Sequence, residues 1–295
     1  MASRHLVRER AVRIEVLEPR VLLSGTSTGG GSGVPVPGLI HQWKLDEPSG
    51  FVAVDSVAGA NGSLVNMMAN DWTDGFHDGG LAFDGANDYI TVGQVASLKL
   101  QTEMTIAAWV NVHSYFPQWG GIAGWVHDTG ATESGYCLNT MSGGGLSFGL
   151  KTNNGGMTYL TATGYETDTW YHLAGTYDGS TQKLYVNGEQ VAEQAKTGAI
   201  DWIPVSPDGF EIGRYHDDNE NILLPETIDD VRVYNRALSA DEAASLAGGG
   251  EIRAILAVAP DRRTPEQQQT LRTHYLRNHD KPYQQLSAEL TQHEQ

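Results

Sequence analysis

Two dipeptides set into one alternating run constrain this chain more than any other feature. From Trp170 to Ala195 the sequence reads WYHLAGTYDGSTQKLYVNGEQVAEQA, with apolar and polar positions alternating through Tyr171, Leu173, Gly175 and Tyr177, then through Leu184, Val186 and Val191. A period of two belongs to a strand with one buried face and one wet face. Asp178-Gly179 and Asn187-Gly188 punctuate the run. Both dipeptides accept positive φ and close tight hairpins, so the stretch predicts three consecutive antiparallel strands.

The same short, turn-bounded pattern recurs on both sides. LIHQWKLD, GLAFDG, DYITV, TIAAWVNV, GIAGWVHD, GYCLNTM, LSFGLKT and TYLTATG precede the central run, and FEIGRY and IDDVRVYN follow it. About a dozen strands in one domain imply two packed sheets, because open sheets that large curl or split. Glycine, at 35 of 295 residues, also favours many turns over long helices. The chain is therefore expected to be all-β, an antiparallel two-sheet sandwich.

Charge excludes some partners. Residues 39–250 carry eight of the 19 Lys/Arg but 27 of the 36 Asp/Glu, so nearly all the negative charge sits in the strand-rich middle. Such a surface repels nucleic acid and anionic membranes and suits neutral ligands or cations. Cys137 is the only cysteine, which rules out an intrachain disulfide and a thiolate metal site; its place between Tyr136 and Leu138 suits a buried filler. No apolar run reaches the roughly 18 residues of a membrane-spanning helix.

The ends differ from the middle. Residues 1–25 hold five arginines before a short apolar patch, too short for an ordinary secretion signal, and Val7, Ala11, Ile14 and Leu17 would line one face of a helix. Residues 26–38 are a Gly/Ser/Thr/Pro linker. The G-x-S-x-G match around Ser27 lies between leader and linker, without the strand and helix a nucleophile elbow needs. Ser239-Ala-Asp-Glu242 reads as a capping box and opens a short helix. Residues 249–295 read as a helical tail: Ile252 to Ala259, a helix capped by Thr264 with Pro265 and Gln267, and a last segment with Leu286 and Leu290 on one face.

Six motifs in order now carry a resemblance. They are LIHQWKLD with Trp43 and Asp46, LAFDG with NDYI, TIAAWV with Trp109, Trp170-Tyr-His172, LYVNG, and IDDVRVYNRALS from Ile228 to Ser239. Together they resemble the LamG-like jellyroll domain of the concanavalin A-like lectin and glucanase superfamily over residues 39–248. The resemblance implies a jellyroll β-sandwich, mostly carbohydrate-binding or adhesion modules, secreted and sometimes calcium-dependent. LEPRVLLSG, Leu17 to Gly25, resembles an N-terminal motif of large exported planctomycete proteins and implies an extracellular or cell-envelope destination. The segment from Val258 to Leu290 resembles the tail of planctomycete cytochrome-associated proteins, although no C-x-x-C-H accompanies it.

Candidate sites follow. His216 to Asn221 concentrates oxygen donors of the kind that satisfy Ca²⁺, although Ile222 and Ile228 break an EF-hand register. The likeness to pentraxins implies a loop calcium site joining Asp128 and Glu133 to Asp217 and Asp218. A structural cation is a second possibility, at Asp46, Asp55 and Asp229 or Asp230, with Arg232 and Arg236 as the alternative neutralising partners. Tyr115, Phe116 and Trp119, in a loop between two strands, suit stacking on sugar faces. Trp43, Trp109 and Trp170 sit in strand motifs and are expected in the core.

No E-x-D-x-E, H-E-x-x-H or Walker loop occurs, and Asp229-Asp230 on a regular strand would point to opposite faces, a poor acid/base pair. The expected function is a non-catalytic extracellular module that binds a glycan or a cell-surface protein. An assembly module docking through its helical tail is the second reading, and a polysaccharide hydrolase the third.

Overall fold

A computed structural model gives the fold for residues 36–114, 119–128, 132–141, 143–203, 209–217, 219–248 and 258–279. Two antiparallel sheets make a sandwich, as the strand pattern predicts.

One sheet runs from β14 (Glu189–Ala195) through β13 (Thr181–Val186), β12 (Trp170–Tyr177), β7 (Met104–Val112), β18 (Pro225–Tyr234) and β5 (Gly79–Asp84) to β4 (Trp72–Asp74), with β1 (Leu39–Trp43) also paired to β18. The opposing sheet runs from β11 (Gly155–Thr163) through β10 (Gly145–Thr152), β9 (Glu133–Met141), β8 (Gly120–Asp128), β15 (Phe210–Ile212), β6 (Tyr89–Gly93) and β3 (Gly62–Val65) to β2 (Val52–Ala53). A small hairpin, β16 (Arg214–His216) and β17 (Asn221–Leu223), joins neither ladder but packs against β8, where a β-carbon on Gly121 would lie 1.9 Å from the Arg214 carbonyl carbon.

The central run forms the strands β12, β13 and β14 expected of it. Asn187 and Gly188 both take positive φ, at 50° and 80°, the pair of left-handed residues a two-residue hairpin needs. The Asn187 side chain secures the turn by accepting from the His172 amide at 2.9 Å. Gly188 is also required by space, because a β-carbon there would lie 2.7 Å from Ala244 Cα on α1 (Ala240–Leu246).

Alternation on β7 builds the core. Met104, Ile106, Ala108, Val110 and Val112 enter the cluster between the sheets with Leu138, Phe148, Leu173, Ile228, Val231 and Val233. Sheet-to-sheet contact is tight at Gly175, where a β-carbon would lie 2.3 Å from the Phe148 ring. Ala107, Ala174, Tyr185 and Tyr234 face outward and are covered by Leu238, Ala243 and Leu246 of α1 and its approach. The expected capping box is present: Ser239 Oγ accepts from the Glu242 amide and Glu242 Oε2 from the Ser239 amide.

Two sequence expectations change. Trp43 and Trp109 are buried as expected, Trp109 on the outer face of its sheet, whereas Trp170 is only half-buried. Asp229 and Asp230 do not alternate across the sheet. A register shift between Asp229 and Arg232, with Asp230 at φ 50°, makes a bulge, so both carboxylates fall outside the core that Ile228 and Val231 enter. Helix α2 (Pro265–His279) carries the expected Thr264–Gln267 cap, while residues 251–257, Leu286 and Leu290 lie outside the described residues.

Candidate functional site

The outer face of the second sheet holds the most chemically distinct surface. Gly149 on β10 has no side chain, and the Tyr159 ring from β11 lies across it; a β-carbon there would be 2.5 Å from the ring and 2.9 Å from Cys137 Sγ. Laid over in this way, Tyr159 reaches Asp128 at the end of β8 and donates its hydroxyl hydrogen to Oδ2 at 2.9 Å. Its oxygen is also 3.3 Å from that of Tyr215 on β16. Trp119 packs edge-on against Tyr159, 4.3 Å between centroids, and tilts toward Tyr215 at 6.4 Å.

Acidic groups border these rings. Asp217 Oδ1 accepts from the Asn219 and Glu220 amides and shapes the β16–β17 turn; its Oδ2 accepts from the Asp128 amide at 3.1 Å. Burial, with Asp217 and Asp128 nearby, raises the Glu220 carboxyl above its usual value. Burial likewise pushes the Tyr159 and Tyr215 phenols up, so both remain protonated hydrogen-bond donors at neutral pH. Cys137 beneath them is buried and its thiol pushed up as well, which fits a filler.

Of the residues singled out in the sequence, the structure brings Trp119, Asp128 and Asp217 together. Glu133 is paired with Asp128 across the β8–β9 ladder but turns its carboxylate to the Met157 amide at 2.8 Å. Tyr115, Phe116 and Asp218 lie outside the described residues. Tyr159 and Tyr215 escape sequence reading because they look like ordinary strand residues; only the glycine opposite on the neighbouring strand lets Tyr159 lie flat.

The second carboxylate group is split. Asp46 Oδ1 accepts from the Gly79 amide at 2.9 Å and Asp229 Oδ2 from the His77 amide at 2.7 Å, so both hold the turn between β4 and β5. Phe76 from that turn stacks on Trp109, 3.4 Å between centroids, sealing a transverse row of His172, Trp109 and Asp229. Burial drives Asp229 up to about 8 and His172 down to about 3, so both are neutral near pH 7. Asp55 is engaged elsewhere, by His41 and the amides of Gln42, Val57, Ala58 and Ala60. Asp230 pairs with Arg232. Among the described residues, no group of three His, Cys, Asp or Glu side chains is gathered to hold a metal ion, and the oxygens of Asp217 accept from backbone amides.

The sequence family described as the concanavalin A-like lectin/glucanases superfamily matches residues 84–244. No curated protein matches the sequence. Among solved structures, Trypanosoma rangeli sialidase in complex with sialic acid is similar at TM-score 0.55 and 18% identity, over 74% of this chain and 34% of that one. The binding domain of Paraclostridial Mosquitocidal Protein 1 gives TM-score 0.56 and 16% identity, over 72% of this chain and 52% of that one. The Botulinum neurotoxin serotype G binding domain gives 0.51 and 16%, over 67% and 48%. At these identities the likeness is one of fold, and the chain spans between a third and about half of the length of those proteins.

Proposed function

The chain belongs to the concanavalin A-like lectin/glucanases superfamily, and from that premise we propose that it is an extracellular glycan-binding module whose ligand rests on Trp119 and Tyr159. The carrying observation is the cluster in which Trp119 and Tyr159 meet edge to face beside the Asp128 carboxylate. Sugars present flat C–H faces edged by hydroxyls. Aromatic rings bury the faces, and a neighbouring carboxylate accepts from the hydroxyls.

Two further features support a neutral ligand. The middle of the chain is strongly acidic, and Asp128, Asp217 and Glu220 border the rings, so an anionic glycan would be repelled. The toxin domains of the same fold are described as binding domains, which agrees with a role in presentation. The stacking contact itself calls for no metal ion, so calcium-independent binding is the expected behaviour.

A glycan array with the full chain, run with calcium and with chelator, tests the proposal. Neutral glycans should be retained in both, and Trp119→Ala should abolish retention while the far-ultraviolet circular dichroism of the sandwich is kept. Retention of sialylated glycans alone would overturn the ligand class, and retention that vanishes with chelator would overturn calcium independence.

A further inference from the structure

Ser97, His41 and Asp55 form a hydrogen-bonded line remote in sequence and unused by the glycan site. His41 Nε2 lies 2.8 Å from Ser97 Oγ, and His41 Nδ1 lies 2.8 Å from Asp55 Oδ2. His41 and Asp55 are buried, whereas Ser97, in the 3-10 turn Ala96–Leu98, is exposed. The imidazole is held in plane by stacking on Trp43, 5.6 Å between centroids at an interplanar angle of 8°.

The network dictates where the imidazole hydrogen sits. Burial alone would raise the Asp55 carboxyl, but hydrogen bonds from the Gln42 amide, His41 and the Val57 and Ala60 amides outweigh it and hold the group below its ordinary value. An ionised carboxylate only accepts, so a neutral His41 must carry its hydrogen on Nδ1. The lone pair on Nε2 is then directed at the hydroxyl of an exposed serine. That is the tautomer a general base for Ser97 requires.

We propose that Ser97, His41 and Asp55 hydrolyse oxygen esters, with Ser97 as nucleophile, His41 as general base and then acid, and Asp55 as the positioning residue. Ser97 Oγ bonds to the ester carbonyl carbon while its hydrogen passes to His41 Nε2. The carbon–oxygen bond to the alcohol breaks, and the alcohol leaves with that hydrogen. Water then gives a hydrogen to Nε2 and bonds to the acyl carbon; the bond to Ser97 breaks, and Oγ recovers the hydrogen. The sum is ester plus water to acid plus alcohol. Because Ser97 is exposed while its partners are buried, the substrate class is an ester presented from solvent.

The same contacts tie β1, the segment around Asp55 and the 3-10 turn together, so the test must read chemistry. The full chain is treated with a fluorophosphonate probe and mapped by peptide mass, and p-nitrophenyl acetate turnover is followed in parallel. The expected result is one adduct, on Ser97, with ester turnover that falls to the buffer rate in Ser97→Ala. Absence of an adduct on Ser97 in the unaltered chain, or turnover that persists in Ser97→Ala, overturns the proposal. Labelling of the unaltered chain decides the matter even if the variant folds poorly, and neither outcome bears on the Trp119 surface.

Discussion

Tyr159 donates to Asp128 at 2.9 Å across the bare backbone of Gly149, and that contact joins the aromatic and acidic halves of the candidate site. Tyr159→Phe keeps the ring against Trp119 and removes the hydroxyl with its bond to Asp128. It should cost about 1.5–3 kcal/mol of stability, as for a hydrogen bond to a charged group, and weaken glycan binding less than Trp119→Ala does. Denaturant titration beside array binding checks both. Equal binding losses in the two variants would move the weight from stacking to the phenol.

Gly149→Ala asks the same question from below. A β-carbon 2.5 Å from the Tyr159 ring forces the ring off the sheet. Glycan binding should fall with Tyr159 still present, and near-ultraviolet circular dichroism should change at the tyrosines. Unaltered binding would mean that the flat ring is not part of the site.

Asp229 gives a pH prediction with a definite sign. Burial lifts its carboxyl to about 8, against hydrogen bonds from the His77 and Phe76 amides and aided by Asp230 and Asp46, whereas the unfolded chain titrates near 3.8. Between those values the folded state holds a proton the unfolded state has released, so this group's contribution to stability falls as pH rises from about 4 to about 8. Asp229→Asn should remove that fall. Melting temperatures of the two proteins should therefore diverge in favour of the variant as pH rises; parallel profiles would contradict the buried, protonated carboxyl.

Gly175→Ala tests the closeness of the sheets. The added β-carbon meets the Phe148 ring at 2.3 Å, inside a core with no slack. The expected cost is about 1–3 kcal/mol, the usual range for overpacking. Phe148→Leu in the same chain should recover part of it, read as a coupling energy in a double-mutant cycle. Additive losses would show that the two residues do not press on each other.

What the sequence disclosed followed from local chemistry. Asn187-Gly188 announces its hairpin because positive φ is a property of the residues themselves; at the other turn only Gly179 takes positive φ, and Asp178 instead accepts from the Ser180 and Thr181 amides, while Ser239 with Glu242 announces α1 by its own capping chemistry. The bulge at Asp229 and Asp230 is not local. It arises where β18 passes from pairing with β5 to pairing with β1, and no residue pattern marks that passage. The sites divide likewise. Trp119, Asp128 and Asp217 stand out by residue type, but Tyr159 joins them only through a glycine on the neighbouring strand. Ser97 meets His41 across 56 positions, and His41 meets Asp55 across 14, so the line they form exists only in the fold.

The most direct test is glycan-array binding of the intact chain beside Trp119→Ala, in calcium and in chelator. Retention of neutral glycans by the unaltered chain under both conditions, and by neither preparation of the variant, is the predicted result. An array on which no glycan is retained, or on which Trp119→Ala binds as the unaltered chain does, would contradict it.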